Sequence, residues 1–429
     1  MKNNIASFAI TDSKAFKMKM LNWSRRFNIF CFLDNSNYPG EPAFECLLAA
    51  GCKNSVSITG GDALGSLQAF SDQNNDWLFG HLGYDVLNSR PAASPAIKDE
   101  VEFEDGFFFT AEILLRLKNN ELIIESGNID PGVIFNAINE QDSFIQKAAP
   151  VNIHFTKGTS ESEYKDIINS LKGHILRGDC YEINFCQHFF AHDVSIDPVY
   201  YYQQLSGISP NPFGAFYKLN DKYCLCASPE RFLKRTGTKL ISQPIKGTSK
   251  RNLADAVADE QNKNYLINSD KEKSENVMVV DLVRNDLSKV CIEGSVHVKE
   301  LFGIYSFPQV HQMISTIEGQ VDPGTAWTDM IRACFPMGSM TGAPKIKVMD
   351  LIKKYERSPR GLFSGSIGYI TPERDFDLNV VIRSLMYDET KNIISFKAGG
   401  GITFNSDPEQ EYEECMLKAE AIIRILKNV

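Results

Sequence analysis

Apolar residues recur at helical spacing in two long stretches of the chain. Over 269–289 the stripe runs Val279, Leu282, Val283, Leu287, the i, i+3, i+4, i+8 pattern of a buried helix face. Ser269, with Glu272 three residues later, forms a capping box that sets the start of this helix. Over 407–426 the stripe is Ala421, Ile422 and Ile425, with Asp407 as N-cap and Pro408 as first helical residue. A third helix is predicted over 163–177. Shorter apolar or alternating runs predict strands over 27–33, 107–117, 223–227, 365–370, 379–387 and 393–398. Turns separate these runs, not regularly spaced helices. That predicts an α+β fold with large antiparallel sheets and argues against parallel βαβ winding. The pattern loosens over 141–157, which divides the chain into an N-terminal region, 1–145, and a C-terminal region, 155–427.

Both helical stripes run on into carboxylates. Followed toward its N-terminus, the first reaches Glu275 and then Glu272; the second reaches Lys418, Glu414 and Glu411. A carboxylate on a buried stripe is costly unless it is paired or bound to a metal. Either pair alone, among 54 acidic residues, reads most simply as a solvated helix face. Two pairs, each in line with a core stripe, suggest one shared site of hard oxygen donors. Such a set suits Mg²⁺ better than zinc or copper. One glutamate of each pair is expected to bind directly and the other through water.

Composition narrows the class. With 43% hydrophobic and 23% charged residues in 429, the chain has ordinary globular make-up. No apolar run approaches the ~18 residues of a membrane span, and no secretory signal is evident. The ten cysteines are scattered, so reduced, mostly buried thiols in a cytoplasmic protein are expected. A formal net charge of −9 argues against a nucleic-acid partner, though not against a small anion met by local cations. The glycine-rich segment 338–345 lacks the Gly-Lys-Ser/Thr ending of a phosphate loop. It and Gly399-Gly400-Gly401 are read as tight turns whose backbone N–H groups could cup a carboxylate.

Taken together, the motifs resemble the chorismate-utilising enzymes. The matching segments are Gly178-Asp-Cys-Tyr-Glu-Ile-Asn184, Ser228-Pro-Glu-Arg-Phe232, Pro244-Ile-Lys-Gly-Thr248 and Asp281-Leu-Val-Arg-Asn-Asp286. Segments 338–345, Gly365-Ser-Ile-Gly-Tyr369, Ala398-Gly-Gly-Gly-Ile402 and 407–418 follow in the family order. Phe79 to Asp85 looks like the aromatic Gly-Tyr segment of the aminating members. The resemblance implies a four-layer α/β/β/α architecture, with Mg²⁺ held by Glu275 and Glu414 and linked through water to Glu272 and Glu411. It implies that the metal grips the ring carboxylate of chorismate. Arg383 and Tyr369 would hold the pyruvyl carboxylate with the Gly399, Gly400 and Gly401 backbone, and Lys418 joins this substrate-binding set. His311 would stand near the leaving hydroxyl and Thr341 in the loop facing the ring. The tryptophan-binding signature of some relatives is not evident around Phe32-Leu-Asp-Asn-Ser36.

Within the family, Lys246 in Pro-Ile-Lys-Gly-Thr points to amination para to the ring carboxylate, where ortho-aminating members usually carry alanine. Hydrolytic and isomerising members carry a lysine base where this chain has Glu182; aminating members usually have glutamine. A nucleophilic lysine must be neutral, and free lysine titrates at roughly 10.4. Burial, with Lys250 or Arg251 close by, is expected to lower that value. No cysteine–histidine glutaminase segment is present, so a separate glutamine amidotransferase subunit would supply ammonia. The competing readings are an ortho-aminating, anthranilate-forming enzyme and a non-catalytic anion-binding paralogue.

Overall fold

The computed structural model describes residues 4–38, 43–87, 98–144 and 153–427, the side chains of Ala421 and Lys427 excepted. Among the described residues, twenty-two strands form two sheets, of 12 and 10 strands, in which every strand pairing is antiparallel. Strands from 1–145 and from 155–427 share both sheets. In the larger sheet the join is Ile29–Asp34 on Phe213–Leu219, with Phe32 opposite Phe216. In the smaller it is Leu78–Leu82 on Ser366–Ile370, with Gly80 opposite Gly368.

Alternation along each strand sorts side chains to the two faces. In Ile29–Asp34, Phe30 and Phe32 join one core cluster with Met20, Tyr164, Tyr201 and Ile422 from helices. Cys31 between them joins a second cluster with Phe79 and Phe108 of the smaller sheet and Leu67, Val283 and Ile331 of other helices. The order is therefore helices, sheet, sheet, helices, the predicted four-layer α+β arrangement.

The three predicted helices form, as Glu161–Leu176, Asp270–Ser288 and Pro408–Lys427. Ser269 caps the second by accepting the Glu272 N–H at 3.3 Å. Asp407 caps the third by accepting from Glu409 and Gln410, each at 3.1 Å. Three β expectations change. Run 107–117 divides into Gly106–Thr110 and Ile113–Lys118, which belong to different sheets. Run 379–387 also divides, into Phe376–Asn379 in the smaller sheet and Ser384–Asp388 in the larger, and Arg383 turns the chain at φ +50°. Gly399–Gly401 is no tight turn: it lies inside the strand Ile393–Ile402, with Gly401 opposite Asn184 and Gly400 opposite Phe185.

All ten cysteines are free and most are buried. Among the described residues no helix is long and apolar enough to cross a membrane.

Arg360 locks the segments behind the site together. Its guanidinium donates to both carboxylate oxygens of Glu356 (2.9 and 2.6 Å), to the Met340 carbonyl and to the Asn184 carbonyl. It also lies 4.6 Å from the centre of the Tyr84 ring, and Glu356 accepts the Cys186 N–H. Arginine suits this position because its planar fork reaches several fixed acceptors at once. Replacing Arg360 with methionine strands a buried carboxylate, so urea unfolding should register a loss of about 3–5 kcal/mol.

Candidate active site

The edge strand Ile245–Lys250 of the smaller sheet and the strand Glu182–Ala191 near one edge of the larger come together beneath the helices Asp270–Ser288 and Pro408–Lys427. At their meeting point the Lys246 ammonium is bound to the Glu182 carboxylate, with side chains only 10% and 3% exposed. Gly401 forms the wall beside them. A Cβ there would lie 2.7 Å from both Lys246 Nζ and Glu182 Oε1, so any side chain at this position would press on the pair and shift it.

Burial by itself would discharge Lys246, but Glu182, Glu275 and Glu230 together outweigh it and hold the amine above its ordinary range. This overturns the expectation of a lowered pKa. The cations expected nearby do not supply the effect either: Arg251 is engaged with Asp259 at 2.9 Å. The resting lysine is an ammonium because the carboxylates around it are stronger than the desolvation.

The glutamate pairs converge on the same space. Glu275 is buried, and its Oε1 has no hydrogen-bond partner. Burial pushes its carboxyl up to about 7, and Lys246 offsets part of that effect. Burial also raises Glu272 and Glu411. Lys418, 2.7 Å from Glu414, holds that carboxyl below the usual range and also donates to the Gly399 carbonyl at 3.0 Å. A Cβ at Gly400 would meet Glu411 at 3.4 Å and Glu414 at 3.6 Å, and one at Gly247 would meet Glu272 at 3.1 Å. Among the described residues no three His, Cys, Asp or Glu side chains stand close enough to cage a metal as they are. The donor set nonetheless fits Mg²⁺: it is all carboxylate, and it includes a buried oxygen without a partner.

Sequence reasoning missed Glu230, although it quoted the Ser-Pro-Glu-Arg-Phe segment that carries it. The Glu230 carboxylate is fully enclosed and accepts from Ser339 Oγ at 2.5 Å. Burial drives its pKa up to about 7, with Ser339 and Lys246 opposing. Arg383 is half-buried; burial lowers its pKa, and Glu230 is the charge that offsets this. Arg383 and Lys246 thus both face Glu230.

Three expected site residues are held by neighbours in the fold. His311 is buried with both ring nitrogens taken, by Ser306 Oγ at 2.8 Å and Asp259 Oδ1 at 3.2 Å. Thr341 turns its hydroxyl back onto the Met337 and Gly338 carbonyls, while its own carbonyl accepts from the Asn184 N–H. The Tyr369 ring packs among Phe44, Trp77 and Phe79 and lines a separate cavity with Asp34, Asn35 and Phe213. That cavity borders the 32–36 segment.

The family model described as chorismate binding enzyme matches residues 39–424. The chain belongs to this family. Aminodeoxychorismate synthase component 1 of Salmonella typhimurium is 39% identical over 266 residues, covering 62% of this chain and 58% of the relative. The chain thus spans a little over half of that relative's length. An anthranilate synthase component I-like protein of Synechocystis is 32% identical over 363 residues, covering 82% and 73%. Among solved structures, anthranilate synthase component I of Streptococcus pneumoniae superposes with a TM-score of 0.77 at 23% identity, covering 90% of this chain and 94% of that one. The menaquinone-specific isochorismate synthase of Escherichia coli gives 0.75 at 16% identity, covering 99% and 95%. Both share the fold of this family member.

Two outcomes follow from the buried acids and the glycine wall. Glu230 titrates near 7 when folded against 4.5 as an ordinary glutamate, so the folded state holds its proton more tightly between those values. Its contribution to stability is therefore full below about 4.5 and is lost as pH rises through 7. Glu230→Gln should flatten that part of a stability–pH curve measured by chemical denaturation. Gly401→Ala should leave the far-ultraviolet circular dichroism unchanged while chorismate binding, read by calorimetry, falls at least about tenfold.

Proposed function

We propose that this family member aminates chorismate to 4-amino-4-deoxychorismate, a folate precursor, using Mg²⁺ and ammonia from a separate glutaminase subunit. The observation that carries the reading is Lys246, enclosed with Glu182 and Glu230 against Gly401 and beside the glutamate pairs. The name of the Salmonella relative supports the same product. Mg²⁺ held by Glu275 and Glu414, with Glu272 and Glu411 behind them through water, would supply positive charge for the ring carboxylate.

Lys246 first gives up a proton, and Glu182 is the acceptor already bound to it. The freed lone pair adds to the ring carbon beside the carboxylate-bearing one. The double bonds shift and the distant hydroxyl departs, taking a proton. Glu230, titrating near 7, is suited to give that proton at neutral pH. Ammonia then attacks the carbon that lost the hydroxyl, the double bonds shift back and the Lys246 nitrogen is expelled. Nitrogen ends para to the carboxylate. Arg383 and Lys418 offer cations for the substrate's carboxylates.

The Synechocystis relative favours a second reading, ortho amination to anthranilate. Purified protein incubated with chorismate, Mg²⁺ and ammonium salt at mildly alkaline pH separates the two. A non-fluorescent aminated product that an added lyase converts to p-aminobenzoate is expected; fluorescent anthranilate would overturn the proposal. Lys246→Ala should abolish the para product, and Glu230→Gln should slow its formation about 100-fold or more. Unchanged turnover by Lys246→Ala would remove the covalent role.

A further inference from the structure

The glutamate pairs pose an electrostatic problem that the protein meets with one of its own side chains. Four carboxylates gathered in a partly buried space repel one another unless a cation stands among them. Lys271, in the first turn of Asp270–Ser288, supplies that cation. Its Nζ lies 4.0 Å from Glu275 Oε1 on the same helix and 3.9 Å from Glu411 Oε1 on the helix Pro408–Lys427. It faces one glutamate of each pair.

The contact neutralises without closing. Both separations exceed a hydrogen bond, and Glu275 Oε1 keeps no hydrogen-bond partner. Lys271 is 45% exposed, against 11% and 3% for the two carboxylates it faces, so it alone of the three can swing into water. A four-carbon stem with a strongly hydrated head makes that movement cheap.

We propose that Lys271 is an internal counter-cation: it holds the two carboxylate helices together in the metal-free protein and must leave before a divalent cation takes its place. It therefore sets metal affinity by competition. This rests on the reading that the glutamate pairs bind Mg²⁺. A lysine that merely clasped the helices would stabilise metal-free and metal-bound protein alike and leave affinity unchanged.

The test is binding of Mn²⁺ and Mg²⁺, each alone and without substrate, by isothermal titration calorimetry. It compares the full chain with Lys271→Met and Lys271→Gln. Lys273→Met removes an equal charge two residues along the same helix, and Glu275→Gln checks the site. The Lys271 variants should bind Mn²⁺ about fivefold more tightly or better, the low end of coupling between two binding events. They should also melt lower than the parent in EDTA, with the gap narrowing once metal is added. Lys273→Met should stay close to the parent. Equal or weaker affinity in both Lys271 variants, with parent binding abolished by Glu275→Gln, would overturn the counter-cation alone. No binding by the parent, or binding indifferent to Glu275→Gln, would overturn the metal reading and this inference together.

Discussion

A concentration of buried carboxylates, and the cations needed to balance it, is the constraint on which the rest of the site depends. Glu182, Glu230, Glu272, Glu275 and Glu411 are all withdrawn from bulk water, and Glu414 stands beside them. Each would be prohibitively costly as an isolated ion. Lys246, Lys271, Lys418 and Arg383 are distributed so that each lies against at least one of them. The balance is incomplete. Glu230 and Glu275 are left titrating near neutrality, and one oxygen of Glu275 has no partner. That residual unmet demand is what the proposed Mg²⁺ and substrate carboxylates would meet.

The same constraint sets a conflict at Lys246. Stability of the resting protein is served by a charged ammonium among acids, whereas covalent chemistry requires a neutral amine. In the proposed reaction, proton transfer inside the Lys246–Glu182 pair would resolve this without moving a charge in from solvent, since both partners would become neutral together. Glycine at 401 leaves room beside this pair, since a Cβ there would lie 2.7 Å from both partners, while Gly400 on the same strand, Ile393–Ile402, leaves room beside Glu411 and Glu414. Arg360 and Glu356 hold Met340, Asn184 and Cys186 in fixed relation behind that strand, so the wall is backed by a buried ionic anchor.

Much of this was legible before folding was considered. Helix starts at Ser269 and Asp407 depend on side chains meeting N–H groups two or three residues away, and the core stripes repeat every turn. Both signals are local. Because the stripe and the Glu-x-x-Glu spacing share one helical period, the sequence pointed all four glutamates toward the core; Glu275 and Glu411 are buried there, Glu272 is partly buried, and Glu414 stays 45% exposed. The sequence also singled out Lys246, through a motif. Tertiary structure decided what no short window contains. Runs 107–117 and 379–387 each look like one strand, since alternation is the same whichever sheet receives it. Only pairing with distant partners splits them, and the second split is what delivers Arg383 to the site. The charge on Lys246 depends on Glu182, 64 residues away in sequence, so burial alone predicted the wrong sign. Tyr369, Thr341 and His311 were assigned by motif, but their side chains take partners that packing provides. Local periodicity tells which way a residue faces; the charges and walls it meets there come from other parts of the chain, and only the closed fold brings them within reach.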